Sequence, residues 1–230
     1  GALNTYYKNP HGLDMDGQYS TAYDLAIISA YALEKPQIAE IVKTKSKRIT
    51  GRILNNTNEM LTKYAGADGV KTGYTGRAGR CLVTSATRND LRVISVVLNC
   101  DSRTKRAQSS EKILNYVFDN YKKYVLIENN KKVKYIPVYK GTLKKIPVVS
   151  IDKVTLPLKE EEKKRIKIYV ELPEELYPPV FPNIEVGYVS FYLDGEIIGK
   201  SPVKTIMGSQ KKDFSHYLNE IISEMKKIIM

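Results

Sequence analysis

The spacing of apolar residues changes near residue 124, and this break constrains the fold more than any other feature of the 230-residue chain. Upstream, Ala22, Leu25, Ala26, Ile28, Ser29 and Ala32 recur at helical intervals behind Ser20 and Thr21, either of which can cap a helix, with Asp24 in the first turn. This spacing predicts a buried helix over residues 20–34. Ile38, Ile41 and Val42 behind Pro36 predict a short second helix over 36–42. Residues 46–62, where Asn55, Asn56 and Asn58 cluster, read as loop. Two β-rich runs, 80–87 and 91–99, flank the turn formers Arg88-Asn89-Asp90 and predict an antiparallel hairpin. Ile113, Leu114, Val117, Phe118 and Tyr121 then predict an amphipathic helix over 110–124.

Downstream, short β-rich runs such as KIPVVSI, KIYVEL and VGYVSFYL alternate with charged or Pro-rich breaks, including Tyr177-Pro178-Pro179. Regular short strands of this kind predict a separate sandwich or small barrel, with Asp194-Gly195 as a two-residue hairpin turn. From Asp213, the residues Phe214, Tyr217, Leu218, Ile221, Ile222, Met225, Ile228 and Ile229 form one apolar stripe on a helix. Such a helix either lies in a membrane interface or docks on the β-rich unit, since the same stripe serves both. The reading is an α+β chain in three parts, 1–123, 124–208 and 209–230.

At 42% hydrophobic, the chain has enough apolar material to fold. Lys and Arg number 37 against 25 acids, a net charge of +12 that calls for an anionic partner without choosing among nucleic acid, phospholipid and wall polymer. The lysines are spread over all parts, and neither a zinc finger nor a basic-aromatic stacking motif accompanies them, which argues against nucleic acid. The lysine runs at 131–135, 144–145 and 163–167 read as solvated strand edges and turns that discourage edge pairing, or else as contacts to anionic lipid or wall polymer. Two cysteines exclude a disulfide framework and a four-thiolate zinc site, and a tight turn at 88–90 sets Cys81 opposite residue 97 instead of Cys100. His11 and His216 lie far apart without acidic clusters, so no metal is expected, and His11 reads as a structural group in a turn. No apolar run approaches the ~20 residues of a membrane span.

Asn9-Pro10-His11-Gly12-Leu13-Asp14, then Gly17 to Ala26, then Asp68-Gly69-Val70-Lys71-Thr72-Gly73-Tyr74-Thr75 with Ala78-Gly79, resemble the low-molecular-mass penicillin-binding proteins, the serine D-alanyl-D-alanine carboxypeptidases. The order of parts is similar too, so the resemblance covers essentially the whole chain. It implies part of a β-lactamase/transpeptidase-like domain, an antiparallel sheet with helices, followed by a small all-β domain and an amphipathic anchoring helix. It further implies release of the terminal D-Ala from peptidoglycan stem pentapeptides, reaction with β-lactam antibiotics, no cofactor, and residence at the extracytoplasmic face of a bacterial membrane.

The resemblance also assigns roles. Lys71 supplies fixed positive charge near the nucleophile and the substrate carboxylate, Thr72 offers its hydroxyl to that carboxylate, and Gly73 admits the substrate backbone. The backbone N–H of Tyr74 becomes one of two oxyanion donors, which leaves its ring secondary. Arg106 grips the terminal carboxylate as a planar fork, with Arg103 and Lys105 as substitutes if the register slips.

The family's serine, with lysine one helical turn later, and its S-x-N triplet both precede the Asn9–Asp14 segment. Ser102, Ser109, Ser150, Ser201, Ser209 and Ser223 each have lysine three positions on, yet Ser109, which opens a helix, follows the Lys-Thr-Gly run instead of leading the fold. No S-x-N occurs, Tyr7-Lys8-Asn9 is a look-alike in the wrong place, and the chain opens at Gly1 with neither initiator Met nor signal core. The nucleophile is therefore expected on a separate or preceding piece of the same protein, and Leu25, Ile28 and Val83 are expected to face core that this chain does not supply. A non-catalytic peptidoglycan-binding protein is the alternative, with a basic nucleic-acid-binding protein behind it.

Overall fold

Thr21 starts the first helix by accepting the N–H of Asp24 at 3.1 Å, and α1 runs Ala22–Leu33. The computed structural model describes residues 1–229, with side chains through Lys227. Only Asp24, Ser29 and Leu33 of α1 are buried, while Leu25 and Ile28 are half-buried, so the predicted stripe is only partly covered. Asp24 owes its burial to the start of the chain, because its carboxylate accepts from the Asn4 N–H and the Thr5 hydroxyl, each at 2.7 Å. Pro36 opens α2 (Pro36–Val42).

Residues 46–62 are not loop. They form a two-stranded ribbon, β1 (Ser46–Ile49) and β2 (Arg52–Asn55), turned at Thr50-Gly51 with both φ positive, and then α3 (Met60–Lys63). Every ribbon residue is exposed, so no burial alternation exists for its sequence to record.

The next three strands, β3 (Ala67–Thr75), β4 (Gly79–Arg88) and β5 (Leu91–Cys100), form an antiparallel sheet in that order. Asn89 and Asp90 both take positive φ between paired Arg88 and Leu91, the geometry of a two-residue hairpin. A register shift between Arg80 and Leu82 puts Leu82 opposite Val97 and Arg80 opposite Cys100, and both cysteines are free. Val83, expected to face core from outside the chain, is 8% exposed because β4 is the central strand and α1 lies against it.

Helix α4 spans Arg103–Asn120, starting at the Ser102 cap well before the predicted residue 110 and ending before 124. Its buried stripe is Arg106, Ser110 and Leu114, two of them polar, which is why apolar periodicity missed its first two turns. Met60, Tyr64, Leu82, Ala86, Val93 and Leu114 form the core of this first unit, Gly1–Lys122.

The second unit begins at Lys123. Its strands are β6 (Lys122–Ile127), β7 (Lys132–Pro137), β8 (Lys145–Ser150) and β9 (Val154–Leu158), then α5 (Glu160–Arg165), β10 (Lys167–Glu171), β11 (Glu185–Leu193) and β12 (Glu196–Thr205). Five of them form one sheet in the order β10-β11-β12-β8-β7, and β6 pairs with β9. Asp194 and Gly195 turn β11 into β12 with positive φ, as their sequence predicts. Phe191, Ile136, Val148, Val189 and Val203 fill the core of this unit.

The last helix, α6 (Phe214–Ile229), does not bury its stripe: Phe214, Leu218, Ile221, Ile222 and Met225 are all exposed. The side chains of Ile228 and Ile229, and Met230, lie outside the described residues. Asp213 caps the helix by accepting from the His216 N–H and ring nitrogen, and these bonds hold its carboxyl down at about 2. A depressed carboxyl stabilises the capped helix above its unfolded value of about 3.9 and loses that effect as pH falls through its folded value. The Cα chemical shifts of Ser215 and His216 are therefore expected to move toward coil as pH drops through about 2, a step that Asp213→Ala should lack.

Candidate active site

Strand β3 lies at the edge of its sheet, so one side of the Lys71-Thr72-Gly73-Tyr74 backbone meets no strand of the described residues. On the other side these residues pair with Val83, Leu82, Cys81 and Arg80 of β4. Lys71 is exposed, its Nζ donating to the Thr72 carbonyl at 2.5 Å. A Cβ on Gly73 would meet only Cys81, at an ordinary 3.7 Å, so packing within the chain does not demand glycine there. The Arg80 guanidinium sits 4.5 Å over the exposed Tyr74 ring.

The segment after the ribbon supports this strand. Thr57 and Thr72 share a hydroxyl hydrogen bond of 2.7 Å. Asn58, 2% exposed, donates to the Gly69 carbonyl at 2.9 Å and accepts the Met60 N–H at 3.1 Å, which ties α3 to the beginning of the Lys-Thr-Gly run.

Arg106 approaches from α4. Its guanidinium donates to the Cys81 carbonyl at 3.4 Å, directly across the ladder from Gly73, and pairs with the Glu59 carboxylate at 2.5 Å. It is 3% exposed, and neither its Nε nor Glu59 Oε1 has a partner among the described residues. A neighbouring pair of contacts fixes the rotation of α4: Ser110 shares a hydrogen bond of 2.6 Å with Ser95 and donates to Thr84 at 2.9 Å, all three hydroxyls being buried.

The fold thus bonds Arg106 to Cys81 of β4, the strand paired with the one that Lys71, Thr72, Gly73 and Tyr74 occupy. It does not do so with the two nearby cations. Arg103 lines an open cleft of about 720 Å³ with Asn55, Thr57 and Glu59, and Lys105 is exposed and paired with Asp101. Thr57, Asn58 and Glu59 escaped sequence reasoning, and the Asn55–Asn58 cluster was the one signal available, because side-chain amides that bond to backbone mark built turns. His11 accepts the Leu13 N–H at 3.2 Å while Asn9 accepts that of Gly12, so residues 9–13 close on themselves. No group of three His, Cys, Asp or Glu side chains suited to a metal occurs among the described residues.

Comparison with known proteins defines the class first. A family model described as D-alanyl-D-alanine carboxypeptidase matches residues 1–102, and one described as the penicillin-binding protein 5 C-terminal domain matches residues 121–207. The D-alanyl-D-alanine carboxypeptidase DacF of Bacillus subtilis (strain 168) is 31% identical over 99% of this chain and 60% of its own length. DacA of Escherichia coli (strain K12) is 33% identical over 98% of this chain and 56% of its own length. Penicillin binding protein 5 from Haemophilus influenzae superposes with a TM-score of 0.73 at 30% identity, covering 92% of this chain and 62% of that one. The chain is similar along nearly its whole length to D-alanyl-D-alanine carboxypeptidases, and it spans somewhat over half the length of these curated relatives.

Proposed function

We propose that this chain forms the substrate-aligning wall of a serine D-alanyl-D-alanine carboxypeptidase acting on peptidoglycan stem pentapeptides. The observation that carries the reading is an open edge strand bearing Lys71-Thr72-Gly73, with Arg106 held against the same ladder. An extended peptide can pair with that free edge, and Gly73 leaves room for it. Lys71 and Thr72 meet the terminal carboxylate, and the Arg106 guanidinium adds charge from beneath.

The serine oxygen attacks the carbonyl carbon of the penultimate D-Ala, and the Tyr74 N–H stabilises the resulting oxyanion. The C–N bond then breaks, the terminal D-Ala leaves as its amine with the serine proton, and water hydrolyses the ester to free the shortened peptide. β-Lactams acylate the same serine as substrate mimics. That serine is carried by sequence outside these 230 residues: Ser109 and Lys112 line a shallow cleft with Asn99 and Asp101 that no Lys-Thr-Gly residue touches.

Intact-mass and peptide mapping of the complete protein after penicillin treatment tests this. One adduct on a serine outside this segment is expected. An adduct on Ser109, or none, sinks the assignment.

The open stripe of α6 supports a helix lying in a lipid interface, and the resemblance to the carboxypeptidases implies that this is the extracytoplasmic face of a bacterial membrane. No helix of the described residues is long and apolar enough to cross a bilayer. Replacing Ile221 and Ile222 together by Asp is expected to lower partition onto anionic vesicles at least tenfold, since each isoleucine contributes about 1.5–3 kcal/mol when buried. Unchanged co-sedimentation would remove the helix as an anchor.

A further inference from the structure

Charge reverses sign about Tyr169. Residues 163–175 read KKRIKIYVELPEE, with Lys163, Lys164, Arg165 and Lys167 before the tyrosine and Glu171, Glu174 and Glu175 after it. The middle of this run is β10, the outermost strand of the five-stranded sheet, paired with β11 on one side and with no strand of the described residues on the other. All five of its residues are exposed, including Ile168, Tyr169 and Val170. An exposed apolar edge is a template for another strand, and charge on such an edge normally blocks pairing. Here the two end charges are opposite, so they oppose most partners and complement one.

We propose that β10 pairs antiparallel with β10 of a second copy of this chain, about a two-fold axis at Tyr169, to join two five-stranded sheets into one. Lys167 then lies opposite Glu171 of the second copy at both ends, Ile168 lies opposite Val170, and Tyr169 lies opposite Tyr169. Each residue meets one of the same parity, so the outward N–H and C=O groups face each other whichever alternate set points outward. A slip of two residues that sets Lys167 against Tyr169 carries Glu171 past the end of the second copy's β10 and breaks both Lys167–Glu171 pairs. Tyr169 already meets the Tyr192 ring edge-on at 5.0 Å, so pairing extends this contact to four tyrosines in a row across the axis. The contact is isologous and closes at two copies.

Sedimentation equilibrium of the complete protein tests the pairing, with far-ultraviolet circular dichroism to check each variant's fold. Dimers are expected for the native sequence. Lys167→Glu and Glu171→Lys each turn two attractive pairs repulsive and are expected to weaken the dimer about tenfold or more, while the double swap restores it. Independently, Tyr169→Cys in a background lacking Cys81 and Cys100 is expected to form an intermolecular disulfide on oxidation, because directly opposed strand residues bring Cα atoms about 4.5–5.5 Å apart. Ile168→Cys, which faces Val170 instead of itself, should cross-link far less. A protein monomeric at about 100 μM, dimers indifferent to both single reversals, or equal cross-linking at positions 168 and 169 would each overturn the proposal.

Discussion

Lys71→Ala is expected to slow acylation of the complete enzyme by penicillin by about a hundred- to a thousandfold, the effect of removing one preorganised charge from a developing transition state. The side chain is exposed on an edge strand and its Nζ bonds only its neighbour's carbonyl, so its loss leaves no buried hole and no orphaned partner. Fold and stability should therefore stay at native levels while the acylation rate falls. Stopped-flow acylation with a fluorescent penicillin, alongside thermal unfolding, separates the two. Near-native labelling would take Lys71 out of the mechanism.

Arg106→Ala is expected to damage both fold and turnover. The guanidinium and the Glu59 carboxylate are buried together, and removing one partner of such a pair costs about 3–5 kcal/mol by stranding the other. Glu59 retains some contact with water, at 19% side-chain exposure, which places the expected loss near the lower figure, about 3 kcal/mol. Combining Arg106→Ala with Glu59→Ala removes both charges and should recover most of that stability. D-Ala release should stay low in the double variant, because the positive charge that Arg106 adds at the carboxylate site is still missing. Recovery of turnover together with stability would show that Arg106 is only a strut. Denaturant unfolding and a D-Ala release assay give the two readings.

The difference between these substitutions reflects what a one-dimensional pattern can carry. The hairpin of β4 and β5 was legible because its two β-rich runs and the Asn89-Asp90 turn report themselves within a few residues, whereas the Lys-Thr-Gly run was legible only through its resemblance to a known family. Helix α6 was legible as a stripe, and the structure leaves the described residues of that stripe exposed. The Glu59–Arg106 pair was not legible, since its members are 47 residues apart and each is charged like any solvated neighbour. The ribbon at 46–55 was lost for a different reason, its strands being exposed on every residue. The first half of α4 was lost because Arg106 and Ser110 occupy inward positions where apolar residues are sought.

The buried hydroxyls of Ser110, Ser95 and Thr84 bear on how finely α4 is aimed. A cylinder resting on a greasy sheet can roll by several degrees at little cost, since dispersion contacts hardly depend on direction. Hydrogen bonds do depend on it, and they weaken steeply as their angles open. Ser110 stands one helical turn beyond Arg106 on the same stripe, so its bonds to two adjacent strands act as a detent that stops the roll. The guanidinium at the end of a long lever is thereby pointed by three small groups that need never touch a substrate.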